Sequence, residues 1–61
     1  MANITEKELS ALSDLLNAEQ VIIAKYKTTA EMTADAAIKD KYTQMAARHQ
    51  RHFDELYTNL K

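Results

Sequence analysis

The chain contains neither glycine nor proline in its 61 residues, so it lacks the two residue types that most often end helices and build tight turns. Its residues are instead rich in alanine, leucine, lysine and glutamate, which are good helix formers. Cysteine is absent as well, so no disulfide can stabilise so short a chain. We therefore predict an all-α protein that forms a single domain over residues 1–61 and needs self-association or a metal for part of its stability.

The charge pattern limits the partners that such a protein can have. The net charge is −1, with both signs mixed along the chain, whereas a nucleic-acid-binding protein needs a basic face. The longest apolar run, "VIIA" at 21–24, is far too short to cross a bilayer, and the first residues lack the basic and apolar blocks of a signal peptide. We expect no nucleic-acid partner, no membrane partner and a cytoplasmic location.

The first helix has a recognisable start and a broad apolar stripe. In "TEKE", Thr5 and Glu8 have the spacing of a capping box, in which each side chain binds the backbone of the other residue. The apolar positions that follow are three or four residues apart, which is the helical period. They are Leu9, Leu12, Leu16, Ile23, Tyr26 and Ala30, and the stripe is widened by Leu15, Ile22 and Thr29. We predict a helix over about 6–32.

The second helix begins after a change of phase. If the first stripe continued, polar residues such as Asp40, Gln44 and Asp54 would face inward, so the phase must break near residues 33–35. Asp35 is a suitable N-cap for a new helix. The second stripe consists of Ile38, Tyr42, Met45, His49, His52, Leu56 and Leu60, widened by Ala46 and Phe53. We predict a helix over about 36–60, which forms an antiparallel helical hairpin with the first.

Three polar side chains interrupt the apolar stripes at one level. In an antiparallel pair centred near Ala34, residues lie level when their numbers add up to about 68, so Glu19 faces His49 and Tyr26 faces Tyr42. Glu19 occupies a position where the pattern favours leucine, and His52 is a helical neighbour of His49.

Two interpretations of this polar level stay open. In the first, Glu19, His49 and His52 bind a divalent metal ion such as Zn or Fe, with one coordination position left open. In the second, they form a metal-free hydrogen-bonded layer that fixes the register of the helices. The three residues are our candidate metal ligands, and we assign no catalytic residue.

The width of the stripes predicts self-association. Two helices alone leave the widened edges, including Leu15, Ile22 and Phe53, in contact with water. A homodimer that forms a four-helix bundle would cover them, and helices exchanged between two copies would do so too. Val21 and Tyr57 lie outside the stripes, whereas Met32 and Met45 are expected to fill gaps in the core.

Two segments of the chain resemble a known family. The stretches "LSDLLNAEQVIIAKY" and "DKYTQMAARHQRHFDELYTNL" are similar to small spore-coat proteins of the coat F type from spore-forming Firmicutes, with "NAEQ" and "HQRH" as the distinctive parts. The resemblance covers roughly residues 9–60. It implies a ferritin-like four-helix bundle, a non-enzymatic structural role in the spore coat, and other spore-coat proteins as partners.

The comparison with ferritin-like di-iron proteins is looser. Their sites use a Glu from each of two helices and Glu-x-x-His from each of the other two. Here His49 stands where that motif has its carboxylate, so a dimer would offer two carboxylates and four imidazoles. We therefore predict a structural protein first, a metal-binding four-helix bundle as the alternative, and no oxidase activity.

Overall fold

The structure, a computed structural model, describes residues 4–59 and consists of two helices. Helix α1 runs over Glu6–Met32 and helix α2 over Ala36–Thr58, and the two pack against each other along their length. The predicted helical hairpin is confirmed in this respect. Leu60, which we placed in the second stripe and at the end of α2, lies outside the described residues.

The start of α1 is fixed by the predicted capping box. The Glu8 backbone N–H donates to Thr5 Oγ1 at 3.0 Å, and the Thr5 backbone N–H donates to Glu8 Oε1 at 3.1 Å. The hydrogen bond from the Thr5 backbone, followed by that from its side chain, holds the pKa of the Glu8 carboxyl below its ordinary value, because both stabilise the charged form. Two backbone donors at the start of α1, those of Thr5 and Glu8, are thus paired without help from the second helix.

A three-residue elbow, 33–35, joins the helices. Helix α1 ends where the Thr33 N–H donates to the Thr29 carbonyl at 3.1 Å. Asp35 then caps α2, since its Oδ1 accepts from the N–H groups of Ala37 at 2.9 Å and Ile38 at 3.1 Å. Neither these residues nor any other in 4–59 has a positive φ, so the elbow needs no glycine.

The hydrophobic core is small. Within residues 4–59, the buried apolar side chains are Leu16, Ile23, Ala30 and Ala46. Two of the four are alanines, which contribute little apolar area to the core. The Cα atoms span 46 × 15 × 10 Å, so the molecule is a rod about two helices wide. Neither described helix combines the length and the apolarity needed to cross a bilayer.

Several predicted core positions are exposed. Leu9 and Ile38 belong to the predicted stripes but are each 43% exposed, because one neighbouring helix covers only a narrow strip of each stripe. The prediction for Met32 was wrong: it is the last residue of α1 and is 80% exposed, so it fills no gap in the core. Val21 and Tyr57 lie outside the helix contact, as predicted.

Candidate metal centre

Glu19 and His49 meet at the middle of the hairpin, in the register that the sequence predicts. Glu19 is the central residue of α1, and its Oε2 lies 2.7 Å from His49 Nδ1 on α2. Their side chains are 17% and 24% exposed. The rings of Tyr26 and Tyr42 also lie side by side, with centroids 5.5 Å apart, which confirms the register a second time.

His52 joins this pair from the rim of the helix contact. Its Nδ1 is 3.9 Å from Glu19 Oε1, beyond hydrogen-bonding distance, and its side chain is 48% exposed. A step of three residues rotates a side chain to a position about 60° to one side of its starting direction, which explains the offset from His49. The stripe assigned His52 to the interior, whereas the structure places it at the edge.

The three side chains together can hold a metal ion. One ligand atom from each of Glu19, His49 and His52 can be chosen so that all three lie within 4.8 Å of one another. Ligands of a tetrahedral zinc ion are about 3.3 Å apart when the metal–nitrogen distance is about 2.0 Å, so small side-chain rotations would complete such a site. One carboxylate and two imidazoles suit Zn or Fe(II) and leave a coordination position open.

The hydrogen bond between His49 and Glu19 determines how a metal can enter. An ionised Glu19 carboxylate can only accept, so the hydrogen bond requires the His49 tautomer in which the Nδ1–H donates to Glu19 Oε2. A metal can bind the free Nε2 while Glu19 orients the ring, or it can displace the proton from Nδ1 and bind Glu19 directly. In both cases Glu19 strengthens the site, through the hydrogen bond in the first and as a ligand in the second.

The imidazoles form part of a row of rings that the sequence analysis did not foresee. The Tyr26 ring lies 5.6 Å from the His49 ring between centroids, and the His49 and His52 rings meet edge-on at 5.4 Å. Tyr26 follows Glu19 by seven residues, which is about two helical turns, so it lies on the same face and reaches the same partner helix. That spacing is the signal that could have predicted the contact.

An open groove of about 350 Å³ borders the candidate ligands on the side of His52. Glu19 and His52 line it together with Leu15, Glu55, Leu56 and Asn59. Of these side chains, Glu55 carries a second carboxylate, which lies in the same groove but outside the group of three. The centre is therefore accessible to solvent from one side of the hairpin.

No protein family, characterised protein or solved structure matches this chain. The resemblance to coat F proteins therefore stays a prediction that rests on the sequence segments alone.

Proposed function

We propose that this protein binds a divalent transition-metal ion, Zn or Fe, through Glu19, His49 and His52. The observation that carries the proposal is the convergence of these three side chains from two helices at one level of the hairpin. A metal-free layer explains the hydrogen bond between Glu19 and His49, but it leaves His52 without a hydrogen bond to the carboxylate, 3.9 Å away. A bound metal uses all three.

The electrostatic cost of the polar level supports the same proposal. Glu19 is largely withdrawn from water, and its neighbours on either side along the helix contact, Leu16 and Ile23, are buried and apolar. A partly buried carboxylate loses hydration energy that a single neutral imidazole restores only in part. A divalent cation restores more, because it carries two positive charges at about 2 Å from the oxygen.

The metal in this proposal is bound and not used for turnover. Within residues 4–59, the group of Glu19, His49 and His52 is the one cluster of three or more His, Cys, Asp or Glu side chains close enough to hold an ion. Its imidazole-rich composition differs from the carboxylate-rich centres that activate oxygen. We therefore propose a non-enzymatic role, such as metal storage or sequestration.

The test is a metal titration of the purified full chain. We expect wild-type protein to bind Zn²⁺ in isothermal titration calorimetry, and the His49→Ala and His52→Ala variants to bind it at least tenfold more weakly. Gln50→Ala is the matched control, since Gln50 lies exposed between the two histidines and binds Asp54 at 3.1 Å. Wild-type protein that binds no metal, or a His52→Ala variant with unchanged affinity, would contradict the proposal.

We also propose, as a second candidate function, a structural role in a spore coat, where the protein assembles with itself and with other coat proteins. Two features support it: the resemblance to coat F proteins, and large apolar side chains that lie exposed beside a core with four buried side chains within residues 4–59. Such side chains suit a protein that completes its packing against partners. Extraction of coat proteins from purified spores of the source organism, followed by immunodetection, tests this role, and absence from the spore fraction would exclude it.

A further inference from the structure

We propose that Tyr26 is a positioning residue of the metal centre, because its ring holds the imidazole of His49 in the orientation in which it binds the ion. The half of the centre that Glu19 and His49 form is then in place before the ion arrives, and His52 is the ligand that moves to complete it. The effect on metal affinity rests on the proposed function, whereas the hold on the His49 ring exists in the metal-free protein and is measured there.

The orientation of the His49 ring is restrained from two directions. Its Nδ1 lies 2.7 Å from Glu19 Oε2, and its centroid lies 5.6 Å from that of the Tyr26 ring, with the two planes tilted by 53°. The hydrogen bond fixes the position of one ring nitrogen but leaves the ring plane partly free to turn about it. The Tyr26 ring limits this turn, because aromatic rings in contact favour a small set of mutual orientations.

His52 is restrained much less. Its side chain is 48% exposed, and its Nδ1 lies 3.9 Å from Glu19 Oε1, beyond hydrogen-bonding distance. Its ring meets the His49 ring edge-on at 5.4 Å between centroids. Exposed side chains change rotamer within picoseconds to nanoseconds. The geometry therefore divides the candidate ligands into a held pair, Glu19 and His49, and one ligand that moves, His52.

A held imidazole strengthens metal binding because less side-chain freedom is lost when the ion binds. Ordering one flexible side chain at a binding site weakens the affinity by roughly two- to tenfold. If Tyr26 has already ordered His49, this loss occurs during folding and not during binding. The contact involves the ring as a whole, so it applies whether the ion binds Nε2 or Nδ1 of His49.

Tyr42 provides a matched comparison for Tyr26. Both tyrosines are half-buried and their rings lie 5.5 Å apart, so replacing either one removes the same pair of rings. In the part of the chain that the structure describes, however, Tyr42 has no ring contact with His49. Side chains on a helix lean toward its N-terminus, so in this hairpin Tyr26 leans away from the elbow and His49 toward it. Their rings therefore meet although Tyr26 is level with Tyr42, about two helical turns from His49.

Zinc titrations of the full chain by isothermal titration calorimetry test the role of Tyr26. We expect Tyr26→Leu to bind Zn²⁺ about three- to tenfold more weakly than wild type, and Tyr42→Leu to bind it within about twofold of wild type. Tyr26→Phe keeps the ring and loses only the hydroxyl, so it should retain the wild-type affinity. Circular dichroism of each variant checks that the helices remain folded.

NMR relaxation of the histidine ring carbons measures the hold directly in metal-free protein. The His49 ring should be ordered in wild type, Tyr26→Phe and Tyr42→Leu, and mobile in Tyr26→Leu. The His52 ring should be mobile in metal-free wild type and become ordered when zinc binds. Wild-type protein should also show a nuclear Overhauser effect between the rings of Tyr26 and His49, a measurement that does not require the Tyr26→Leu variant to fold.

Several outcomes would overturn the role of Tyr26. Equal weakening of zinc binding in Tyr26→Leu and Tyr42→Leu would show that both tyrosines act through packing alone, and wild-type affinity in Tyr26→Leu would show that the ring does not assist binding. A mobile His49 ring in wild type, or no Overhauser effect between the two rings, would remove the hold itself. A His52 ring as ordered as the His49 ring without metal would contradict the division into held and moving ligands.

Failure of the metal site is distinguishable from failure of the hold. Wild-type protein that binds no zinc overturns the metal site and, with it, the effect of Tyr26 on affinity. The relaxation of the His49 ring in metal-free wild type and Tyr26→Leu then still decides whether Tyr26 holds the imidazole.

Discussion

Glu19 occupies a position where the periodicity of α1 favours a leucine. Its side chain is 17% exposed and accepts one hydrogen bond, from His49 at 2.7 Å. A polar pair at this depth contributes less to folding than two packed aliphatic side chains of similar volume. In the absence of metal, the pair therefore lowers the stability that the hairpin could otherwise reach.

This reasoning predicts the effect of replacing both partners. The double variant Glu19→Leu/His49→Leu should unfold with a free energy about 1 kcal/mol higher than that of metal-free wild type, because two desolvated polar groups become packed apolar ones. Urea denaturation at one protein concentration measures the difference. The same variant should lose zinc binding. A metal-free double variant less stable than wild type would show that the pair stabilises the fold by itself.

At this scale, the sequence predicts one contact of the site better than the other. Two straight helices with a known elbow fix which residues are level, so the pair of Glu19 and His49 follows from the numbering alone. The exposure of His52 cannot be predicted from the numbering, because it depends on the width of the helix contact. A stripe marks the residues that favour burial but not how many of them one partner helix covers.

Both helices begin at residues whose side chains bind the backbone of the next turn, Thr5 for α1 and Asp35 for α2. Such caps depend on local sequence and not on distant contacts, so both starts could be predicted from short motifs. The exposed positions of Leu9 and Ile38 could not, since they depend on how closely the helix ends pack together. Local signals thus fixed the elements, and tertiary packing decided which of their residues are buried.

The cap at the start of α2 should have a measurable effect. Asp35→Ala removes the acceptor for two backbone N–H groups, so we expect the free energy of unfolding to fall by about 1 kcal/mol. Asp54→Ala is the control, because it is the same substitution within the same helix and removes a side-chain hydrogen bond to Gln50 only. Thermal or urea denaturation measures both. Equal stability of the two variants would contradict a capping role for Asp35.

Because of the capping box of α1, we expect the stability of this helix to depend on pH in the acidic range. Its hydrogen bonds lower the pKa of Glu8 from the ordinary value of 4.5 in the folded state. A carboxyl whose pKa is lower in the folded state stabilises the fold at pH values above its ordinary pKa. That stabilisation is lost as the pH falls through the lowered pKa. Glu8→Gln keeps an acceptor that does not titrate. Below pH 4.5, wild type should therefore lose more helix stability than Glu8→Gln, as followed by circular dichroism against temperature.

For the whole molecule, the small hydrophobic core predicts that a single copy of the chain has low stability. Four buried apolar side chains within residues 4–59, two of them alanines, provide little stability to a chain without disulfides. If a second copy supplies the rest, the melting temperature should rise with protein concentration, because dimer formation stabilises the folded state by mass action. Melting curves over about a 100-fold range of concentration measure this. A constant melting temperature would show that the hairpin folds by itself.

The central position of the polar level also restricts how the two rods can slide along each other. A slip of one helical turn toward the elbow would set the Glu19 carboxylate opposite Met45 in place of an imidazole, whereas the opposite slip would bring it level with His52 and Phe53. The buried apolar side chains on either side of this level, Leu16 and Ile23, could exchange one apolar neighbour for another at smaller cost. A polar pair halfway along the contact thus disfavours the misaligned hairpin in which Glu19 faces Met45, and it does so whether or not an ion is bound.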